Sequence, residues 1–330
     1  MSALTTPAHV RDAHDGAGST GASPSGGRHP RRSATDAGRA PLWMVSPAGL
    51  VMILVIGLPI VFLVLTSFTD YNQRSLFTGA YSVVGLEQYQ KIFTDPDFYH
   101  ALVLTLVFTV ALVAGSVLIG VAVSEMMTRL GTGMRYLVTV VLIFAWGMPN
   151  VASSVVWKWM FQPGYGVVNW LLARLRIFGD TTNLSWSNNM WLALACIWML
   201  VVWQAVPFIA LTTYAAQSQV DPAYLEAARI DGAGEFRIYF AVTLPFLRPT
   251  LLLITILSVI WDFNVFNQIW LVTQGGPGTS TATLGVWTYL TAFTNFKLGT
   301  GAAISVVTTL VLTALSAVYV RRLLRSGEDL

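Results

Sequence analysis

The chain has 330 residues, 55% of them hydrophobic and only 11% charged, with a formal net charge of +3 and a mean hydropathy of +0.62. Soluble domains carry about 25% charged residues, so the composition excludes an ordinary water-soluble globule and indicates an integral membrane protein. A lone cysteine, Cys196, excludes an intrachain disulfide framework.

Residues 1–40 are rich in Gly, Ser, Ala, Pro and Thr and nearly free of large apolar side chains, so they are expected to form a disordered tail. Arg31-Arg32 does not read as an export signal, because the uncharged run 40–69 behind it is too long for one. A membrane domain over 41–325 follows, with a short end at 326–330. A helix crosses a roughly 30 Å hydrocarbon layer with about 20 apolar residues. Six stretches qualify, near 43–66, 101–124, 136–157, 189–213, 249–270 and 300–320. The fourth sits in the uncharged stretch 181–220, which marks its ends poorly, and the fifth is interrupted by Asp262.

Six spans put both termini on one side. Thirteen of the 19 lysines and arginines then fall on that side, leaving Arg74, Lys91, Lys158, Arg174, Arg176 and Lys297 opposite. The positive-inside rule makes the termini cytoplasmic. The segment 220–245, between spans four and five, is therefore expected in the cytoplasm.

That segment has its own local code. Asp221-Pro222 reads as an N-cap and first helical residue, residues 223–231 as a short helix, and Gly232 as its stop. A turn at Ala233-Gly234 leads to a second short helix over 235–242. Charges alternate along it, at Glu226, Arg229, Asp231, Glu235 and Arg237, beside an apolar side of Leu225, Ile230, Phe236, Tyr239 and Phe240. Two readings fit: an amphipathic linker at the membrane face, or a knob that docks into a soluble partner.

Glu226-Ala227-Ala228, then Gly232, then Val242-Thr243-Leu244-Pro245 resembles the EAA signature of ABC importer permeases, with Val242 where the usual pattern has Ile. The stretches "VVGLEQYQKIFTDPDF" (83–98), "GYGVVNWLL" (164–172) and "FNVFNQIWLVTQGGPGTSTATLGVWTYLTAF" (263–293) are similar to the carbohydrate permeases of the maltose, trehalose and glycerol-phosphate type. "SFTDYN" (67–72) looks like the first of the two permeases that such systems pair. The resemblance implies an all-α membrane domain of six transmembrane helices with a cytoplasmic coupling helix between helices four and five. In it, Glu226, Ala227, Ala228, Asp231 and Gly232 meet the ATPase, and Leu244 and Pro245 lead back into the membrane. It also implies a heterodimer with a second six-helix permease, cytoplasmic ATP-binding subunits and an external sugar-binding protein.

The sequence holds no G-x-x-x-x-G-K-[ST] loop, so ATP and Mg would be bound by the partner ATPase and this chain carries no cofactor. No spacing of His, Cys and carboxylates suggests a metal, a catalytic group or nucleic-acid binding. The chain is read as non-catalytic.

An ionisable group within a span costs about 2.5–3.5 kcal/mol on insertion scales and marks a functional site by default. Asp262 is that group, followed by Asn264, Asn267 and Gln268. Carboxylate and amides suit sugar hydroxyls, and Trp261 and Phe266 offer faces for sugar C–H groups. Thr255, Ser258 and Asp262 share one face of a regular helix, whereas Asn264 lies about 200° away at about 100° per residue. Either the helix distorts there, or the polar groups divide between a path and a partner. An ion-coupled secondary transporter using Asp262 is the alternative, but no acid–base chain or inverted repeat accompanies it. Ridges of small residues, Ser116, Gly120 and Ser124 in span two and Ser305, Thr309, Thr313 and Ala317 in span six, suit close helix packing. Pro47, Pro59, Pro149 and Pro207 permit kinks.

Overall fold

The computed structural model describes residues 40–176 and 179–327. The expected tail, up to residue 39, and the final residues 328–330 lie outside them. The boundary between two compact units falls after Val55. The first unit holds α1 (Ala40–Met52), which runs through Pro47, and the start of a π-helical turn, Ile53–Gly57.

The second unit is almost wholly helical. Its elements are α2 (Leu58–Thr66), α3 (Gln73–Thr78), α4 (Glu87–Thr94), α5 (Pro96–Arg129), α6 (Thr132–Trp146), α7 (Asn150–Met160), α8 (Val167–Leu175), α9 (Met190–Gln217), α10 (Pro222–Ile230), α11 (Glu235–Ile238), α12 (Leu244–Phe263), α13 (Asn267–Thr273), α14 (Leu284–Tyr289) and α15 (Leu298–Gly327). Among the described residues only one isolated β-bridge occurs, Thr69 with Val83. Five stretches are long and apolar enough to span a bilayer: Val45–Thr66, Pro96–Arg129, Met190–Gln217, Glu235–Phe263 and Leu298–Arg321.

The third expected span is not one straight helix. Gly147, Met148 and Pro149 separate α6 from α7, and the two axes differ by 97°. Pro149 lacks the N–H that would continue the ladder and clashes with a helical carbonyl behind it. The fifth span also differs from its expected bounds of 249–270. It starts earlier, at Glu235, because a π-helical turn, Tyr239–Thr243, joins α11 to α12 without a break. The expected second short helix is thus the beginning of the span itself. It also ends earlier, at Phe263, and the chain re-enters a helix only at Asn267.

The helix ends follow local chemistry. Asp95 Oδ1 accepts from Asp97 N at 2.9 Å ahead of Pro96, and Asn189 Oδ1 accepts from Trp191 N at 2.9 Å. Both are N-caps that satisfy donors left free in a first helical turn. In lipid, helices associate through close packing rather than through exclusion of water, and α5 meets α9 through such contacts. Gly120 leaves a Cβ position only 2.5 Å from Ile209 Cγ2, and a Cβ on Gly115 would run into the Trp198 indole. The Trp198 indole donates to Ala111 O at 2.9 Å. Ser116 and Ser124 are fully buried there. The expected ridge in α15 behaves differently, since Thr309, Thr313 and Ala317 face outward from this chain.

Two ends of the bundle can be told apart. One carries the connections 130–131 and 218–234, where Ser124 Oγ donates to Gln217 Oε1 at 2.6 Å. The other carries 67–95, 161–189 and 274–297. There Gln88 Nε2 donates to Thr69 O at 3.0 Å, while Thr300 Oγ1 donates to Gln88 Oε1 at 2.7 Å. The core, with Phe98, Leu112, Ile197, Leu200, Ile269 and Ile304, fills the bundle towards this second end.

Candidate functional site

The segment between α9 and α12 forms a defined knob. Asp221 Oδ1 accepts from Ala223 N at 2.9 Å and Pro222 opens α10. At the other end Gly232 takes φ +78°. Ala233 N donates to Ala228 O at 3.0 Å and Gly232 N to Arg229 O at 3.0 Å, the paired bonds of a Schellman stop. Arg229 then reaches Glu235 with two bonds, Nε to Oε1 at 2.8 Å and Nη2 to Oε2 at 3.3 Å, which sets α10 against α11. Tyr224, Ile230 and Phe236 stand out from this frame, Ile230 with 86% of its surface exposed. Such large apolar groups beside charge, held rigidly, suit a protein contact. Glu226, Ala227, Asp231 and Gly232 are exposed on the same knob and Ala228 is half-buried. Leu244 and Pro245 lie just past the π turn, inside the continuous helix.

The second feature is a cavity of about 550 Å³ where both helix interruptions meet. Trp261, Asp262, Asn264, Phe266, Asn267 and Gln268 all line it. The break at 264–266 resolves the angular conflict of a regular helix, turning Asn264 and Asn267 to the same space as Asp262. Ser258 joins them. Thr255 does not, and its hydroxyl instead donates to Leu251 O at 2.7 Å.

Asp262 is 7% exposed, and among the described residues its buried Oδ2 has no hydrogen-bond partner. The amides are tied together. Gln268 Nε2 donates to Gln204 Oε1 at 3.0 Å, Gln204 Nε2 to Asn150 Oδ1 at 3.2 Å, and Asn264 Nδ2 to Ile260 O at 2.8 Å. Trp146 stacks on Phe208, with ring centroids 6.3 Å apart, and Phe208 meets Trp261 edge-on at 5.4 Å. Phe266 stacks on Trp270 at 6.0 Å. The space is walled by aromatic faces and edged with amides and one carboxylate, a lining that suits a polar ligand with apolar faces.

Residues 116–325 match the family described as binding-protein-dependent transport system inner membrane component. The chain belongs to that family.

Its members are permease subunits of ABC importers, membrane transport components and not enzymes. They work with a partner permease, an ATPase and a binding protein. Across 323 residues this permease is 36% identical to the diacetylchitobiose uptake system permease protein DasB of Streptomyces coelicolor, covering 98% of this chain and 96% of that one. It is 31% identical to the sulfoquinovosyl glycerol transport system permease protein SmoG of Agrobacterium fabrum, covering 84% and 88% respectively. In fold it is similar to a bacterial ABC transporter involved in alginate import, with TM-score 0.74, 16% identity and coverage of 87% and 96%.

Sequence reasoning missed Asn150 and Gln204, the amide side chains that line the permease's cavity from outside the fifth span. A signal for Gln204 was present: it is the one amide in the apolar run 190–211. The Glu125 carboxylate holds Arg129 at 2.9 Å and accepts from Gln217 Nε2 at 3.1 Å. Among the described residues no three His, Cys, Asp or Glu side chains come together as a metal site.

Proposed function

We propose that this permease forms half of the translocation path of an ATP-driven sugar importer and feels ATP turnover through α10. The supporting observation is the cavity at the interrupted fifth span, where a carboxylate, amides and aromatic rings meet. Hydroxyl groups of a saccharide match the amides and Asp262, and its C–H faces match Trp261 and Phe266. The relatives named for diacetylchitobiose and sulfoquinovosyl glycerol uptake support a glycoside cargo.

In this reading both termini are cytoplasmic, as the excess of Lys and Arg on that side favours. A second, different six-helix permease completes the path, and an external binding protein delivers the sugar. Glu226, Ala227, Ala228, Asp231 and Gly232 meet a cytoplasmic ATPase that binds ATP and Mg itself. Leu244 and Pro245 carry the motion into the membrane.

The test is uptake into proteoliposomes holding the complete importer. Transport that requires internal ATP and the binding protein supports the reading. Uptake driven by an ion gradient alone defeats it and makes Asp262 an ion-coupling group instead.

A further inference from the structure

A second cavity, of about 520 Å³, opens at the end of the bundle opposite α10, and its lining shares no residue with that of the Asp262 cavity. Trp287 and Thr291 both line it, each only 8% exposed. Among the described residues neither the Trp287 indole N–H nor the Thr291 hydroxyl has a hydrogen-bond partner within the chain. Neither donor atom is sealed among the buried unpartnered ones, so both can reach a ligand or water. Gln88, held at both ends by Thr69 and Thr300, makes one wall rigid.

The rim decides the class of ligand. Asp70, Asp95 and Asp97 face the cavity together with Lys91 and Lys297. Three carboxylates against two ammonium groups disfavour an anion, and no three acidic side chains converge to hold a divalent cation. The charged rim disfavours an apolar molecule. Interspersed donors and acceptors around an aromatic ring suit a neutral polyol, and the volume lies within the roughly 300–1,000 Å³ of small-molecule sites. The place is also telling. Tyr289, between Trp287 and Thr291 in sequence, packs its ring 5.3 Å from Phe266, which lines the Asp262 cavity. The short helical segment that lines the outer cavity therefore also packs on a wall residue of the inner one.

We propose that this outer cavity is a second saccharide-binding subsite, which takes the sugar before the Asp262 cavity does; the proposal rests on reading the chain as a sugar permease. The complete importer in lipid nanodiscs, without binding protein, tests it with radiolabelled diacetylchitobiose, trehalose and maltose as probes. Trp287→Phe with Thr291→Val removes the two free donors while keeping shape. At least one probe should bind the wild-type complex, and the double variant should weaken that binding about tenfold, the factor expected from losing two hydrogen bonds. Half-maximal uptake should move to a correspondingly higher sugar concentration. Unchanged binding in the double variant, or binding of none of the probes, overturns the proposal. So does loss of binding-protein-stimulated ATP hydrolysis with sugar binding intact, which would make this face a protein-docking surface. Uptake by the wild-type complex, measured in parallel with the binding protein present, separates these outcomes from failure of the sugar reading itself.

Discussion

Gln268 donates to Gln204 across 3.0 Å, fastening the far half of the interrupted fifth span to the middle of α9. Gln268 is 7% exposed, so removing its acceptor strands a buried amide. Such a loss costs about 1–3 kcal/mol, while replacing both partners by apolar groups is nearly neutral. Gln204→Leu should therefore lower the unfolding midpoint in detergent, and Gln204→Leu with Gln268→Leu should restore it. Uptake should stay impaired in both, because Asn150 loses its bond from Gln204 and the cavity loses two amides. Full uptake by the double variant would remove this pair from the path.

Among the described residues, Asp262 keeps a buried carboxylate oxygen without a partner. Asp262→Asn removes the charge and adds a donor at nearly the same shape, so thermal unfolding should occur at equal or higher temperature. Sugar affinity should fall several-fold if the carboxylate accepts sugar hydroxyls. Uptake kinetics and a thermal melt on the same preparation check both halves; unchanged affinity would take Asp262 out of the binding set.

Gly232 has φ +78°, yet a Cβ built on it meets nothing within 4 Å. The cost of Gly232→Ala is then one of backbone conformation, about 1–2 kcal/mol, and Gly232→Asn should cost less because Asn tolerates the left-handed region. The ratio of sugar transported to ATP hydrolysed should fall in the order glycine, asparagine, alanine. Equal ratios in all three would mean that the turn is not part of the coupling route.

Gly120 differs, since its Cβ would lie 2.5 Å from Ile209 Cγ2 and 2.7 Å from Ile209 Cβ. Gly120→Ala should separate α5 from α9 and destabilise by about 1–3 kcal/mol. Gly285, also helical, has nothing within 4 Å. Gly285→Ala should be neutral or stabilising by up to about 1 kcal/mol. Denaturation of the two variants side by side distinguishes packing from propensity.

Hydrogen bonds from the Ser82 backbone and hydroxyl hold the Asp70 carboxyl below its usual 3.8. Their contribution is present above that ordinary value and is lost as pH falls through the depressed one. The loop 67–84 should hence stay protected at pH 5 and loosen only in stronger acid. Asp70→Ala should loosen it at neutral pH, read as faster exchange of the Ser82 amide.

Much of this architecture was legible because charge bounds apolar runs sharply and cap residues declare themselves locally. Asp221, Pro222 and Gly232 announced α10 within a residue or so of its bounds, and Lys297 and Arg321 bracketed the last span. The angular conflict between Asp262 and Asn264 raised a distortion as one of two alternatives without choosing it, for residues 260–270 contain no Gly or Pro, and the break goes with the packing of α13 against α7 and α9. Pro149 signalled a bend without its size. Asn150 and Gln204 were hidden for a related reason: an isolated amide in an apolar helix looks the same whether it binds cargo or a neighbouring helix, until its partner is known.

The π turn at Tyr239–Thr243 has a mechanical consequence. Because it leaves no break, Glu235–Phe263 is one rod of 29 residues, about 42 Å long at about 1.5 Å per residue. Glu235, gripped by Arg229, sits at one tip and Asp262 near the other. A lever of that length turns a tilt of about 5° at the gripped tip into a displacement of roughly 4 Å at the far one, comparable to the spacing between a hydrogen-bonded pair and an open gap. Inserting a flexible glycine pair into the π turn would slacken that lever while leaving both of its ends in place.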